Sequence, residues 1–317
     1  MGVVTPVGVG LDNFWSAIKA KKSAISELTG IDTADLPIKR GAEVRDFNPR
    51  DYLSMKLVQD LEPYAQYAYV SAEEAINMSG IDTESERVGV VMGSALSGIN
   101  VIAGTGASYA TAGKAAGPKY LTKAMGNITA AFLEINHKIT GPSLTVSTAC
   151  SSGSDALTVA AMLIRAGAAD AMIVMAGEAA IGAGLIQSLT KCGALSKTGE
   201  SRPFDLNRNG FVLGEGGGAL IIESEEAMEK RGGVPLAELL GCANNTDAFN
   251  PVSPDPEGRG AAACMRLALE DAGLSADDID YINAHGTATK AGDIAESSAI
   301  RQVFGERPVF VSSTKGM

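Results

Sequence analysis

The regular alternation of short β-type runs with helical patterns is the feature that most restricts the fold of this 317-residue chain. Apolar runs rich in valine and isoleucine predict strands, and amphipathic runs between them predict helices. The predicted strands cover residues 88–92, 143–148, 171–176, 218–223, 236–241, 280–284 and 309–312. This alternation favours an α/β protein whose strands are largely buried.

Helical patterns fill the intervals between the predicted strands, and several of them end at a glycine, a common helix terminator. They cover residues 12–21, 64–79, 121–137, 150–166, 260–272 and 293–304. Residues 224–235 are charged and rich in turn formers, and the strand and helix rhythm begins again after them. The sequence therefore predicts two α/β halves, residues 1–235 and 236–317.

Composition excludes several classes of function. A formal net charge of −11 argues against nucleic acid as the main partner, because phosphate binding needs concentrated lysine and arginine. Charged residues interrupt the longest apolar stretches, so no membrane span is expected. The first residues lack a basic region followed by an apolar one, and the four cysteines form no Cys-x-x-Cys pair, which predicts a cytoplasmic protein without disulfides or a zinc knuckle.

Cys150 stands between a predicted strand and a predicted helix, within Thr-Ala-Cys-Ser-Ser-Gly. The first turn of a helix carries unpaired N–H groups and the positive end of the helix dipole. A thiolate is stabilised there, and a developing oxyanion finds donors. A cysteine is often only a small buried hydrophobic residue, but this setting indicates a nucleophile.

The chain has two histidines, and they differ in setting. His285 follows a predicted strand and precedes a glycine, where its ring can enter the crevice in which α/β folds bind ligands. Lys315 follows a second strand of the same half, and a cation there helps to keep a neighbouring imidazole neutral. His137 ends a predicted helix and is interpreted as a capping or surface residue. The glycine-rich stretch 210–218 precedes a strand, so it predicts a turn and not a phosphate loop.

In the order and spacing of five motifs, the chain resembles the β-ketoacyl-acyl carrier protein (ACP) synthases, most of all the elongating type II condensing enzymes of the thiolase superfamily. The motifs cover residues 141–153, 201–205, 209–216, 283–289 and 311–315. The resemblance implies a duplicated thiolase-like fold of α/β/α/β/α layers with mixed five-stranded sheets. It also implies a homodimer whose central sheet continues across the interface, and ACP as partner.

The activity implied by the resemblance is a decarboxylative Claisen condensation in fatty acid elongation. Cys150 would hold the acyl thioester, and His285 would stabilise the enolate formed from malonyl-ACP, with Lys315 as the lysine that supports the active-site histidines. The resemblance further places Thr287, Thr289 and Ser253 near the phosphopantetheine arm. Asp293 and Glu296 would be supporting charged neighbours. No metal and no cofactor is required, since the substrates are carried on the ACP arm.

The chain also departs from the family pattern. The second active-site histidine, the end of the second half and the opening strand are missing, so a sequence truncated at both ends is expected. The stretch 54–67, where ACP docks in the family, keeps only Lys56 as a basic residue and gains acids, and Val252 replaces a threonine.

Three alternatives stay open beside fatty acid elongation. The first is the ketosynthase of a type II polyketide or polyene pathway, and the second is a non-catalytic partner subunit of a condensing heterodimer. The third is a cysteine hydrolase, which would need a general base beside Cys150.

Overall fold

The computed structural model describes residues 1–317, and their packing divides them into two compact units. The first unit consists of residues 1–20, 43–182 and 214–235, and the second of residues 21–42, 183–213 and 236–317. Residue 235 ends the last segment of the first unit. Residues 21–42 and 183–213 nevertheless pack with residues 236–317, so the second unit is not one continuous stretch of the chain.

Ten strands and eleven α-helices form the elements. The strands are β1 (Gly2–Thr5), β2 (Gly8–Val9), β3 (Ser26–Glu27), β4 (Arg40–Gly41), β5 (Val88–Gly93), β6 (Ser143–Val146), β7 (Ala171–Glu178), β8 (Gly216–Glu223), β9 (Tyr281–Asn283) and β10 (Phe310–Ser312). The helices are α1 (Leu11–Lys19), α2 (Met55–Asp60), α3 (Pro63–Ser79), α4 (Ile99–Ala112), α5 (Tyr120–Ala124), α6 (Ile128–His137), α7 (Ser152–Arg165), α8 (Ala183–Lys191), α9 (Glu225–Lys230), α10 (Arg259–Ala272) and α11 (Lys290–Phe304). None of these helices combines the length and the apolar character that crossing a membrane requires.

A mixed six-stranded sheet forms the centre of the first unit, in the order β2-β1-β8-β7-β5-β6. Strand β5 runs parallel to both of its neighbours, β6 and β7, whereas β8 pairs antiparallel with β7 and with β1. The sheet has one strand more than the five expected, because the two-residue β2 folds back on β1 as a hairpin. Parallel strands joined through helices place their carboxyl ends, and the loops that follow them, at one edge.

Side chains alternate between the two faces of this sheet. In β7, Ile173 and Met175 pack into one apolar cluster together with α3 and α6, whereas Met172 and Val174 pack into a second cluster with α7. Successive side chains of a strand point to opposite faces of the sheet, so a strand that is covered on both faces buries both sets of side chains. Helix α7, which begins beside Cys150, is therefore held by β5, β6 and β7.

The second unit contains the parallel pair β9 and β10, with Val311 opposite Ile282, and the packed helices α10 and α11. The expectation of a strand at residues 236–241 was wrong. An apolar run becomes a strand only where another strand takes up its backbone hydrogen bonds, and no strand pairs with this segment. Leu236, Leu239 and Leu240 are exposed.

Candidate active site

Cys150 lies in the strand-to-helix turn predicted from the sequence. Strand β6 ends at Val146, residues 149–151 form one 3-10 turn, and α7 begins at Ser152. Ala149 has a φ of 54°, a left-handed conformation that few residues other than glycine adopt. This reversal places Cys150 at the amino end of α7, where its side chain is exposed. An accessible thiol at a helix N-terminus is suited to nucleophilic attack.

A buried carboxylate connects the residues on either side of Cys150. Asp155, only 8% exposed, accepts hydrogen bonds at one oxygen from Thr148 Oγ1 at 2.5 Å and Ser151 Oγ at 2.9 Å. The hydroxyl of Ser152 donates to the Ala149 carbonyl at 2.7 Å and accepts from the Thr148 amide at 2.9 Å. These contacts fix the backbone that carries the thiol.

The end of β5 comes close to the first turn of α7. A Cβ atom at Gly93 would lie 2.6 Å from the Ser152 carbonyl oxygen, so only glycine fits at this position. Just beyond it, the amides of Ala95 and Leu96 donate to Glu178 at 3.0 and 2.9 Å. Burial raises the pKa of Glu178, and the backbone donors only partly oppose that rise. Glu178 thereby fixes the loop after β5.

His285 follows β9, and its backbone is held by Glu296 of α11. One Glu296 oxygen accepts from the His285 amide at 2.6 Å, and the other accepts from the Gly286 amide at 2.7 Å. The Lys315 ammonium donates to the His285 carbonyl at 2.5 Å. Two charged residues from separate elements therefore fix the backbone of this histidine.

The pKa of His285 is lowered from its ordinary value. Desolvation by the surrounding protein is the largest cause, and the positive charge of Lys315 adds to it, while Glu296 and Asp293 act in the opposite direction. Because the imidazolium is disfavoured, the ring stays neutral to a lower pH than a free imidazole. A neutral imidazole can donate one hydrogen bond without adding a full charge to the site.

The residues expected near the pantetheine arm have different surroundings. The Thr287 and Thr289 hydroxyls lie 3.0 Å apart, on either side of Ala288, which has a φ of 62°. Thr289 also caps α11, since its hydroxyl accepts from the Gly292 amide at 3.2 Å. Ser253 is exposed between α9 and α10, and its amide donates to Asn250 Oδ1 at 3.0 Å.

Asp293 and Arg208 connect the segment 201–210 to the start of α11. Asp293 is 2% exposed and accepts from the Phe204 amide at 2.7 Å. The Arg208 guanidinium, whose side chain is 12% exposed, lies 3.4 Å from the same carboxylate oxygen and donates to the carbonyls of Thr289 and Lys290. Arg208 thus bridges two of the motifs recognised in the sequence.

His137 lies at the C-terminal end of α6, and its Nε2 is 2.8 Å from Glu73 Oε1 of α3. The hydrogen bond that His137 donates to the Glu73 carboxylate raises the pKa of His137, although desolvation opposes this. The sequence interpretation as a capping or surface residue did not include this partner. No three histidine, cysteine, aspartate or glutamate side chains are grouped as metal ligands would be.

Asp155 and Arg208 were not singled out from the sequence, although both stand within or beside recognised motifs. Asp155 is a carboxylate in the buried face of an otherwise apolar amphipathic run, and such a residue usually has a specific hydrogen-bonding partner. The position of a carboxylate in the buried face of a helix could therefore have identified Asp155 from the sequence. For Arg208 no such signal existed, because the two carbonyls that it binds at the start of α11 lie 81 and 82 positions away in the chain.

Two family models match the chain. The model described as the β-ketoacyl synthase N-terminal domain matches residues 1–228, and the one described as the C-terminal domain matches residues 236–317. Several solved structures have the same fold, which confirms the thiolase-like expectation. The ishigamide ketosynthase/chain length factor has a TM-score of 0.91 at 30% identity over 100% of this chain and 79% of its own.

A second similar structure is described as "AntDE:AntF (apo): type II PKS acyl-carrier protein in complex with its ketosynthase bound to the hexaketide". Its TM-score is 0.87 at 29% identity, over 99% of this chain and 80% of that one.

Curated relatives match the entire chain. It is 36% identical to 3-oxoacyl-[acyl-carrier-protein] synthase 2 of Coxiella burnetii, over 79% of that protein, and 34% identical to the Vibrio cholerae protein of the same name, over 80% of it. A Staphylococcus aureus protein of that name is 33% identical over 81% of its length. Family models, relatives and fold agree, and the chain belongs to the β-ketoacyl synthase family.

Proposed function

We propose that the chain is a β-ketoacyl-ACP synthase that condenses an acyl thioester with malonyl-ACP in fatty acid elongation. The observation that carries the proposal is identity of 33–36% over the whole chain to enzymes named 3-oxoacyl-[acyl-carrier-protein] synthase 2. The Cys150 turn supplies a nucleophile for this reaction, and the His285 segment supplies one of the imidazoles that the family uses. The chain is therefore an acyltransferase.

Acyl transfer is the first half of the reaction. The Cys150 thiolate attacks the thioester carbonyl of acyl-ACP, a new carbon–sulfur bond forms and the carrier's carbon–sulfur bond breaks. The pantetheine sulfur leaves as a thiolate and takes up a proton equivalent to the one that Cys150 gave up. Negative charge develops on the carbonyl oxygen during the attack. In the proposed reaction the backbone N–H of Cys150, at the positive end of α7, stabilises this charge as one donor of an oxyanion hole.

Condensation is the second half. Malonyl-ACP loses carbon dioxide, and the electron pair of the broken carbon–carbon bond forms an enolate. His285, neutral because its pKa is lowered, donates a hydrogen bond from Nε2 to the enolate oxygen. The carbanion then attacks the Cys150 thioester, and the thiolate leaves. Lys315 holds the His285 backbone by a hydrogen bond, and its positive charge helps to keep the His285 ring neutral.

The binding roles of the remaining residues follow from the same proposal. Thr287, Thr289 and Ser253 contact the phosphopantetheine arm, while Asp293 and Glu296 hold the His285 segment. The proposed reaction uses no metal and no separate cofactor.

ACP is the proposed partner, supported by the names of the relatives and by the similar structure of a ketosynthase in complex with its acyl-carrier protein. A homodimer formed through the exposed edge strand β6 is also proposed. The halves 1–235 and 236–317 are proposed as the two thiolase-like repeats, and the cytoplasmic location stays a prediction.

A polyketide ketosynthase is the second candidate function. Two of the solved neighbours are described as a type II PKS ketosynthase and as a ketosynthase with a chain length factor. The altered docking stretch at residues 54–67 favours a specialised carrier. A non-catalytic partner subunit is disfavoured because Cys150 is present and accessible.

The proposal is tested by intact-protein and peptide mass spectrometry after incubation with acyl-ACP. An acyl adduct confined to the Cys150 peptide is expected, and it should disappear in Cys150→Ser but persist in Cys192→Ser, which removes another exposed cysteine. An adduct on Cys192, or none on any cysteine, contradicts the proposal. Release of free acid faster than condensation would instead support a cysteine hydrolase. Comparing fatty acyl with polyketide carriers separates the two candidate functions.

A further inference from the structure

We propose that Asp155 is a positioning residue for Cys150. It holds the turn that carries the nucleophile, and its negative charge disfavours the thiolate at the same helix terminus. The inference rests on the proposed role of Cys150 as nucleophile. Its evidence is the cluster formed by Thr148, Ser151 and Asp155. None of these three side chains takes part in the reaction steps proposed for Cys150 and His285.

The geometry of the cluster ties both neighbours of the thiol to one atom. Thr148 precedes Cys150 by two residues, and Ser151 follows it directly. Both hydroxyls lie within hydrogen-bond distance of the same Asp155 oxygen, at 2.5 and 2.9 Å. The Ser151 hydroxyl is also 2.9 Å from the Thr148 carbonyl, which closes the turn on itself. A shift of Asp155 therefore moves the backbone on both sides of the nucleophile.

The conformation of the turn requires such a tether. Ala149 has a left-handed φ of 54°, which costs on the order of 1 kcal/mol for a residue with a Cβ and persists only where its surroundings hold it. Asp155 is 8% exposed, and a buried carboxylate is stable only with hydrogen-bond donors. The carboxylate and the strained turn thus stabilise each other.

The negative charge of Asp155 also acts on the Cys150 thiolate. Asp155 lies in the first turn of α7, where its negative charge is favourable to the dipole. The Cys150 thiolate uses the same positive end, so the two negative charges disfavour each other. The other charged residues on α7 and on the elements packed against it are Arg165 on α7, Glu178 on β7, and Glu223 on β8, which is paired with Arg231.

Two variants of Asp155 separate geometry from charge. Asp155→Asn keeps an acceptor oxygen for both hydroxyls and removes the charge, whereas Asp155→Ala removes both. Asp12→Asn is the matched control, since Asp12 is an exposed aspartate in the first turn of another helix of the same unit. Each variant is tested for the pH dependence of Cys150 alkylation by iodoacetamide, read by peptide mass spectrometry, and for acyl transfer from acyl-ACP.

Alkylation is expected to become faster when the charge is removed, and acyl transfer is expected to become slower when the hydrogen-bond acceptor is removed. In Asp155→Asn the alkylation profile should move to lower pH, with alkylation about threefold faster near neutral pH, as expected for one charge at a helix terminus. Acyl transfer in Asp155→Ala should fall about tenfold or more, because small displacements of a nucleophile are costly. Asp155→Asn should recover most of that loss. The control should match the unsubstituted chain in both assays.

An unchanged alkylation profile in Asp155→Asn, or full acyl transfer in Asp155→Ala, would overturn the inference. If Asp155→Ala does not fold, Ser151→Ala and Thr148→Val replace it, since each removes one tether and keeps the carboxylate. Both should acylate more slowly without the move to lower pH, and normal acylation in both refutes the positioning role. Alkylation needs no carrier protein, so it can be measured even if the unsubstituted chain is not acylated. A failure of the proposed function is therefore distinguishable from a failure of the inference about Asp155.

Discussion

The Lys315 ammonium lies 2.5 Å from the carbonyl oxygen of His285 and donates a hydrogen bond to it. The two residues follow the adjacent parallel strands β10 and β9, so their closeness is a consequence of the strand register. The same lysine contributes to the lowered pKa of the His285 ring, after desolvation. One side chain therefore affects both the position and the protonation of the histidine.

Lys315→Met should raise the pKa of His285 toward its ordinary value, because removal of a nearby cation makes the imidazolium less unfavourable. The measurement is a titration of the histidine ring protons by NMR, with the His285 signal assigned from His285→Gln. Lys290→Met is the control, since Lys290 is an exposed lysine of the same unit. A His285 titration unaffected by the loss of Lys315 would contradict this electrostatic coupling.

The two histidines should titrate on opposite sides of the ordinary value of about 6.5. The hydrogen bond that His137 donates to Glu73 raises the pKa of His137, whereas desolvation lowers that of His285. The His137 pair therefore adds stability below the unfolded-state pKa and loses it as pH rises through the folded value. The contribution of His285 to stability has the opposite pH dependence. It is present above the unfolded-state pKa and is lost as pH falls through the folded value, because the unfolded chain binds the proton more readily.

NMR titration of both rings tests the prediction, and Glu73→Gln should move only the His137 signal, toward the ordinary value. In the unsubstituted chain the neighbouring Asn136 side-chain amide donates to the Tyr69 hydroxyl at 2.7 Å. Two superimposed titration curves near 6.5 would disprove the predicted separation.

The turn at Cys150 was predictable because its signals are local. A β-type run, a cysteine and an amphipathic run follow one another directly in the sequence, and the structure places β6, the 149–151 turn and α7 there. The strands β5, β7 and β8 also lie where their periodicity placed them. Local patterns identify an element when its own residues supply the buried face.

Contacts between distant segments were not predictable in the same way. The sequence suggested Glu296 only as a charged neighbour, but its two oxygens bind the backbone amides of His285 and Gly286. The run 236–241 has the apolar character of a strand and lacks a partner strand. Pairing depends on which segments meet in space, and the pattern within one short run does not show that.

Acids gained in the stretch 54–67 neutralise lysines of a neighbouring segment. Asp60 lies 2.5 Å from Lys119, and Glu62 lies 2.8 Å from Lys123. We predict that the double variant Asp60→Asn, Glu62→Gln binds a carrier protein that docks on basic residues about two- to fivefold more tightly at low salt, because two cations are released.

Binding at several salt concentrations tests this prediction, since the gain should disappear when salt screens the exposed charges. Glu84→Gln is the control, because Glu84 pairs with Lys138 at 2.8 Å elsewhere on the same unit. Equal gains in the control and the double variant would show that the released lysines do not form the docking surface.

Loss of the buried Asp293 carboxylate should destabilise the second unit. Asp293→Ala leaves the Arg208 guanidinium without its charged partner and the Phe204 amide without its acceptor. Removing one member of a buried ion pair costs about 3 kcal/mol. Asp277→Ala is the control, because Asp277 is 87% exposed and lies 3.4 Å from Arg307. A surface substitution of that kind should change the free energy of unfolding by no more than about 0.5 kcal/mol.

Denaturant unfolding measures both variants, and hydrogen exchange of the α11 amides shows whether the loss is in the second unit. The His285 titration adds a readout that simple destabilisation does not move. Asp293 raises the pKa of His285, so Asp293→Ala should lower it further in the folded chain. An Asp293→Ala chain as stable as Asp277→Ala would mean that the carbonyls of Thr289 and Lys290 hold Arg208 without the carboxylate.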